Sequence, residues 1–226
     1  MTYEFDWSSI PGAVPFLIDG MVLTLKLLFL AMAIGIVWGT LLALARLSGV
    51  RLLSAAAGAY VNLFRSVPLI LVIFWFYFLV PFFLKAITGD AGIAVGAFYS
   101  ALVAFALFEA AYYCEIIRAG IQSVPRGQLA AAYATGMNYG QAMRLVILPQ
   151  AFRNMLPLLL TQSIILFQDT SLVYVISLSD FLGAASKVGT RDGRLAEMYL
   201  FAAAVYFVMS FAASSLVRRL QTRFAT

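Results

Sequence analysis

The sequence has few of the residues on which enzymes and metalloproteins most often rely. Among its 226 residues there is no histidine and one cysteine, Cys114. A lone cysteine cannot close an internal disulfide, and the shortage of both residue types removes the usual ligands of a transition metal. The chain also lacks the G-x-x-x-x-G-K-[ST] pattern of a phosphate-binding loop. Composition alone leaves open a Mg or Ca site made of carboxylates, but no cluster of such ligands indicates one, so we expect no cofactor, no metal and no catalytic residue in this chain.

Charged residues are also scarce. They make up 11% of the sequence, compared with about 25% in an average soluble domain. The sequence pI is about 9.5, but the basic residues lie between apolar runs instead of clustering on one polar face. This arrangement is typical of membrane topology and does not indicate a nucleic-acid partner.

Long apolar runs dominate what is present, since 63% of the residues are hydrophobic. A membrane-spanning helix needs about 20 mostly apolar residues. We predict an all-α membrane protein that forms a single domain over residues 1–226. Within the first 20 residues we predict a short interfacial helix that precedes the first span. The predicted spans cover about 21–45, 67–84, 93–117, 156–176 and 196–217.

The distribution of lysine and arginine predicts the orientation of these spans. One set of connections and span ends carries most of the positive charge: Arg46, Arg51, Arg65, Arg118, Arg126, Arg144, Arg153, Arg218, Arg219 and Arg223. The opposite set carries only Lys85, Lys187, Arg191 and Arg194. Because positive loops stay in the cytoplasm, we predict a periplasmic N-terminus and a cytoplasmic C-terminus.

The cytoplasmic connection over about 118–155 is the longest, while the external connections look shorter and less organised. Alanine-rich residues 128–135 favour a helix, and Gly136 then predicts its end. Asn138 with Gln141 three residues later resembles a capping box that starts a second helix. We predict that this helix ends at Leu148, because the next residue is proline. The alternative is a pair of amphipathic helices lying on the membrane surface.

The spacing within this connection resembles the EAA loop of bacterial ABC-importer permeases. The segment Ala130-Ala131-Ala132 is followed by Gly136 and, further on, by Leu148-Pro149. Ala130 stands where that pattern has glutamate. Three other segments resemble permeases for polar amino acids: Phe64–Leu69, Glu115–Gln128 and Leu148–Arg153. Two more resemble the permeases of glutamate/aspartate importers: Tyr3–Ser9 and Leu166–Leu172.

The resemblance implies a type I importer in the bacterial inner membrane that moves a polar amino acid, glutamate or aspartate, by alternating access. It implies a second permease subunit in a heterodimer, two cytoplasmic ATPases that hold ATP and Mg, and a periplasmic substrate-binding protein. The implied ATPase contact is the coupling loop, with Gln128, Ala130, Ala131, Ala132, Gly136, Leu148 and Pro149. This chain would then be a transport subunit and not an enzyme.

Polar residues inside the predicted spans are candidates for the substrate pathway, because a charge at the membrane centre costs about 2.5–3.5 kcal/mol on insertion scales. The candidates are Glu109, Gln162, Ser163, Gln168, Asp169, Thr170 and Ser171. The alternative for those of the fourth span is a polar seam between helices. For Glu109, a structural pairing with another side chain is as open as a position in the substrate pathway.

Charged and small residues at other places predict structural contacts. Arg65 is a candidate partner of a carboxylate such as Glu109. Glu115 and Arg118 share a helix face because they are three residues apart, so we expect an ion pair with a structural or gating role. Gly35–Gly39 and Gly92–Gly96 have the small-xxx-small spacing of closely packed helices.

Two other classes of protein are alternatives to a permease subunit. An intramembrane protease would need H-E-x-x-H, two membrane aspartates or a serine with a base, and the sequence offers none of these sets. A stand-alone carrier or channel driven by an ion gradient is the second alternative. Such carriers often consist of two inverted repeats, into which five spans do not divide.

Overall fold

The computed structural model describes residues 4–89 and 95–224, with side chains up to residue 221, and every regular element in that part of the chain is a helix. Tyr3 and Gly92, which belong to predicted patterns, lie outside it. Five helical stretches are long and apolar enough to cross a membrane: Ser9–Leu47, Leu69–Thr88, Ala97–Gln122, Tyr139–Ile176 and Leu195–Gln221. The prediction of an all-α protein with five apolar helices is confirmed.

The first helix, α1, is unbroken from Ser9 to Leu47, so the prediction of a separate short helix before the first span is wrong. Pro11 lies in the first turn, where a missing N–H costs nothing. Pro15 lies inside the helix, where proline normally disrupts the backbone. Here the buried side chains of Ala13 and Leu17 pack into an apolar cluster with residues 181–202, which holds this part of α1 helical.

Helix α1 is followed by α2, Arg51–Arg65, which was not predicted from the sequence. It packs on α1 and on α5 (Ala97–Gln122) through buried Ala57 and Val61. Its exposed side carries Leu52 and Leu63 as well as Arg65, and at 15 residues it is too short to stand out as a membrane span. Residues 66–68 separate it from α3, Leu69–Phe74, which continues through the π-helical turn Trp75–Leu79 into α4, Val80–Thr88.

Helix α5 is the centre of the bundle and contacts α1, α2, α3 and α8. Its closest neighbour is α1, because two glycines let the backbones approach. A Cβ added at Gly39 would lie 2.8 Å from the carbonyl oxygen of Ala110, and one at Gly35 would lie 3.2 Å from Cβ of Glu109. The close packing predicted for Gly35–Gly39 is therefore present.

The connection after α5 contains α6, Arg126–Ala134, and α7, Tyr139–Ala142. The second helix does not end at Leu148 as predicted. It passes through the π-helical turn Met143–Ile147 directly into α8, Leu148–Asp169, and the 3-10 turns Thr170–Ile176. Pro149 is tolerated because it lies in the first two positions of α8, after a turn in which the N–H of Leu148 bonds the carbonyl of Met143.

The connection between the last two long helices is also more ordered than predicted. It holds α9, Phe181–Asp192, before α10, Leu195–Phe224. Asp180 caps α9 by accepting hydrogen bonds from the N–H groups of Gly183 at 2.9 Å and Leu182 at 3.2 Å. The N–H of Phe181 donates to the Thr24 hydroxyl at 3.0 Å, so α9 is fixed against α1.

Candidate functional site

The turn between α6 and α7 is fixed by its backbone, as the sequence predicts. Gly136 has a φ of +82°, a left-handed conformation that glycine adopts at low cost. Its N–H donates to the carbonyl of Tyr133 at 2.9 Å. The Asn138 side chain accepts from the Gln141 N–H, and the Gln141 side chain accepts from the Asn138 N–H, both at 2.9 Å. The capping box therefore fixes the start of α7.

The outer face of this loop consists of small side chains beside two aromatic ones. Six of the seven residues predicted to couple to an ATPase are exposed: Gln128, Ala130, Ala131, Gly136, Leu148 and Pro149. The seventh, Ala132, is buried. Tyr133 and Tyr139 are also exposed, at 46% and 63%. Exposed tyrosines of this kind are enriched at protein contacts.

An ion-pair cluster lies where α1 and α5 meet near the loop. Glu115 pairs with Arg118 at 2.6 Å, as the three-residue spacing predicts, and also with Arg46 of α1. All three side chains are half-buried. Arg118 donates in addition to Gln122 at 2.8 Å. No sequence pattern points to Arg46 as a partner, because it is distant from Glu115 in the chain.

The prediction that Arg65 pairs with Glu109 is wrong. The Arg65 guanidinium lies over the ring of Tyr112, 5.4 Å from its centroid. Arg65 is at the exposed end of α2, whereas Glu109 is fully buried between α1, α5 and α8. The helix packing thus keeps the two charges apart.

Glu109 is instead paired with a neutral amide. The Gln162 Nε2 group of α8 donates to both carboxylate oxygens, at 3.2 and 3.1 Å. Gly35 of α1 packs against the same residue. Since its side chain is 0% exposed within the chain, Glu109 links three helices and does not line an open pathway in this conformation.

The polar residues of the fourth span do not share one site: some bond their own helix, and others line a groove. Ser163 donates to the carbonyl of Leu159 at 2.9 Å, and buried Thr170 donates to the carbonyl of Phe167 at 2.6 Å. Asp169, at the end of α8, is half-buried. Gln168 and Ser171 alone of this set line a groove of about 660 Å³ between α8 and α10.

The other wall of this groove comes from α10, which the sequence analysis did not include among the candidates. Ser210, Ser214 and Arg218 line it. Their four-residue spacing places them on one face of a helix, and this periodicity was the signal that could have identified them. Taken singly, Ser210 is a lone hydroxyl among apolar residues, and Arg218 is one of several arginines at the end of the last span.

Comparison with known proteins places this arrangement in a family. Residues 35–226 match the binding-protein-dependent transport system inner membrane component. The chain belongs to this family, a class of multi-pass inner-membrane transport subunits.

Among its relatives, the glutamate/aspartate import permease protein GltK of Escherichia coli O6:H1 is 58% identical over 223 residues, which cover 99% of this chain and 100% of that protein. The arginine transport system permease protein ArtQ of Bacillus subtilis is 34% identical over 206 residues and 91% of each chain. The resemblance to ABC-importer permeases found in the sequence is confirmed.

Two solved structures have the same fold. The crystal structure of an amino acid ABC transporter with histidines matches with a TM-score of 0.88 and 35% identity, covering 99% of this chain and 100% of that one. An inward-facing structure of the MetNI methionine ABC transporter matches with a TM-score of 0.66 and 22% identity over 91% of this chain and 96% of that one. The second likeness shows the fold alone.

Proposed function

We propose that this chain is the permease subunit of an ATP-driven importer and moves glutamate or aspartate into the cell as one membrane domain. The observation that carries the proposal is the 58% identity to a glutamate/aspartate import permease over that protein's whole length. The substrate is taken from that relative. The likeness in fold to an amino acid ABC transporter, at a TM-score of 0.88, supports the transport class.

The partners follow from the proposed class. A second permease, in a heterodimer, forms the other half of the pathway, and a periplasmic binding protein delivers the amino acid. Two cytoplasmic ATPases bind and hydrolyse ATP with Mg, so this chain performs no chemical step. The exposed loop around Gly136 contacts one ATPase, and the arginine-rich ends of the helices face the cytoplasm.

The proposed mechanism is alternating access. Closure of the ATPases displaces the α6–α7 turn, and the continuous rod from Tyr139 to Ile176 carries this displacement into the membrane. A rigid connection is favoured because the capping box and the π-helical turn leave no loop between α7 and α8. The polar residues between α8 and α10 then open to one side of the membrane at a time.

Reconstitution tests the class of transporter. Proteoliposomes that contain this chain, the second permease and the ATPase should take up radiolabelled glutamate only with ATP inside and binding protein outside. Liposomes that contain this chain alone should take up none. Uptake by the chain alone under an ion gradient would contradict the proposal and support the stand-alone carrier.

The role of the loop is tested by two matched glycine substitutions. Gly136→Val forces a left-handed backbone on a β-branched residue, at a cost of about 1–3 kcal/mol, and should abolish ATP-dependent uptake with normal amounts of protein in the membrane. Gly127→Val is the control, because it lies in the same loop and an added Cβ meets nothing within 4 Å at either site. Full uptake by Gly136→Val would remove the loop from the mechanism.

A further inference from the structure

The groove between α8 and α10 consists of two adjoining cavities. A second cavity, of about 350 Å³, adjoins the cavity of about 660 Å³ and shares Gln168, Ser214 and Arg218 with it. Together they follow the two helices from Ser171 to Gln221. The combined space is large enough for a small amino acid and several waters.

The wall of the groove holds polar groups that are available to a ligand. Ser210 is 7% exposed, and its hydroxyl has no hydrogen-bond partner among the described residues. Because a buried hydroxyl normally has a partner, this one requires an explanation. Ser210 faces the cavity, so a molecule in the groove can supply the missing bond.

Arg218 brings positive charge to the same groove. Its Nη2 group donates to the Ser215 hydroxyl at 3.4 Å, and the guanidinium lies 6.0 Å from the centroid of the Phe211 ring. A guanidinium has five N–H donors, so this one long bond leaves capacity for an acceptor. No aspartate or glutamate is among the residues that line either cavity. The groove therefore favours an anion.

The depth of the groove favours water or protein over lipid tails as its neighbour. Ser210 lies near the middle of the apolar stretch Leu195–Gln221. Gln168 is less than two turns from Gln162, which contacts Glu109 at the middle of α5. Hydrocarbon offers no hydrogen bonds, so polar side chains at this depth face water or protein.

We propose that this groove binds the carboxylate of an acidic amino acid on its way through the membrane, with Arg218 as the charged anchor and Gln168 and Ser210 as hydrogen-bond donors. The inference rests on the proposed function, which it deepens by naming the residues that select an anion. Arginine suits this role because its donors match both oxygens of a carboxylate. Helix α10 then contributes specificity as well as packing.

Cysteine labelling tests the site without depending on transport. In a Cys114→Ala background, Ser214→Cys in the assembled importer is treated with a small anionic thiosulfonate and, separately, with a cationic one. We expect the anionic reagent to react faster than the cationic one. Glutamate should slow the reaction, whereas glutamine should not.

Arg218→Gln should weaken the protection by glutamate about tenfold, equivalent to about 1.4 kcal/mol. Arg218→Lys should retain part of it, and Arg219→Gln, next in sequence and outside the groove, should change nothing.

Three results would overturn the inference. Absence of any reaction at Ser214→Cys would show that lipid or the second permease fills the groove. Equal protection by glutamate and glutamine would remove the selection of an anion. The third result is that phosphatidylglycerol vesicles alone slow the reaction at Ser214→Cys, with glutamate adding nothing in phosphatidylcholine vesicles. That result would assign Arg218 to a lipid headgroup. A failure of uptake with normal protection would instead contradict the proposed function alone.

Discussion

At the scale of single residues, the pair formed by Glu109 and Gln162 is the contact most sensitive to substitution. A carboxylate that is fully buried accepts both its described hydrogen bonds from one amide. A buried acceptor that loses its partner is destabilised by about 1–3 kcal/mol, and by more if it is charged. This residue therefore depends on a single neighbour.

We expect Gln162→Leu to lower the thermal unfolding temperature of the purified importer markedly. The double variant Glu109→Leu with Gln162→Leu should recover most of the loss, because no unpaired polar group remains. Unfolding temperatures of the two single variants and the double variant, compared as a thermodynamic cycle, measure the coupling. A double variant less stable than both single variants would show that the pair does not act as a unit.

The cap of α9 gives a prediction about pH. Burial raises the pKa of the Asp180 carboxyl from 3.8 to about 6, and the N–H groups of Gly183 and Leu182 and the Tyr206 hydroxyl only partly offset this. A raised pKa means that the folded protein binds this proton more strongly than the unfolded protein. Its contribution to stability is full below about pH 4 and is lost as the pH rises through about 6.

Asp180→Asn keeps an N-cap side chain but cannot ionise. The unfolding temperature of the variant relative to the original protein should therefore increase between pH 5 and about pH 7. Thermal scans of both proteins in the same detergent over this range measure the difference. A difference that does not change with pH would show that Asp180 does not titrate in this window.

Sequence spacing predicted the local contacts of these residues and missed the distant ones. Glu115 and Arg118 are one helical turn apart, so their pairing follows from periodicity. The partners Gln162 of Glu109 and Arg46 of Glu115 lie on other helices. Such pairs depend on which helix faces lie together, and no local pattern in a single sequence records this.

At the scale of helices, the contact between α1 and α5 depends on the absence of a side chain. At Gly39 an added Cβ would lie 2.8 Å from both the Ala110 carbonyl oxygen and the Tyr113 Cβ. Neither atom is the end of a flexible chain, so the helices would have to separate. At Gly12, in the same helix, an added Cβ meets nothing within 4 Å.

These two positions give opposite predictions for one substitution. Gly12→Ala should leave stability unchanged or raise it by about 0.5–1 kcal/mol, because alanine loses less backbone entropy in a helix. Gly39→Ala should destabilise the protein despite the same gain in helix propensity. Thermal unfolding of the two variants gives the comparison, and equal effects would show that α1 and α5 adjust without cost.

The apolar spans were predictable as elements because length and hydropathy alone define them. Their ends were not, and prolines caused most of the errors. Pro15 and Pro149 look like helix breakers in the sequence, yet the packing of α1 on α9 and the π-helical turn before α8 keep both helices continuous. Helix α2 was missed because its 15 residues are too few for a membrane span and an arginine lies at each end.

At the scale of the whole molecule, the orientation in the membrane remains a prediction from the arginine distribution. Single cysteines at Gln128 and Thr190, both exposed, provide the test. In a Cys114→Ser background, an impermeant maleimide should label Thr190→Cys in intact cells and Gln128→Cys only after the inner membrane is opened. Cys114 is 0% exposed, so the original protein serves as the unlabelled control. The reverse pattern would place the loop around Gly136 outside the cell.

The site in the groove could be predicted only in part, for a reason that applies to the whole bundle. Gln168 and Ser171 stand in a dense polar run that draws attention, whereas Ser210 is a single hydroxyl among apolar residues and Arg218 is one of several arginines at the end of the last span. The groove exists because α8 and α10 pack side by side. A site shared between two helices becomes visible only when their relative positions are known.

The long packing surface of α1 has a consequence for biogenesis. Its most extensive contact is with α5, which is complete only at Gln122, about 75 residues after α1 ends at Leu47. At about 5–20 residues per second of translation, the ribosome needs roughly 4–15 s to supply that partner. During this interval the notch at Gly35 and Gly39 is open on the nascent chain. Any other helix released nearby could occupy it first, so faithful assembly depends on the speed of synthesis as well as on the final fit.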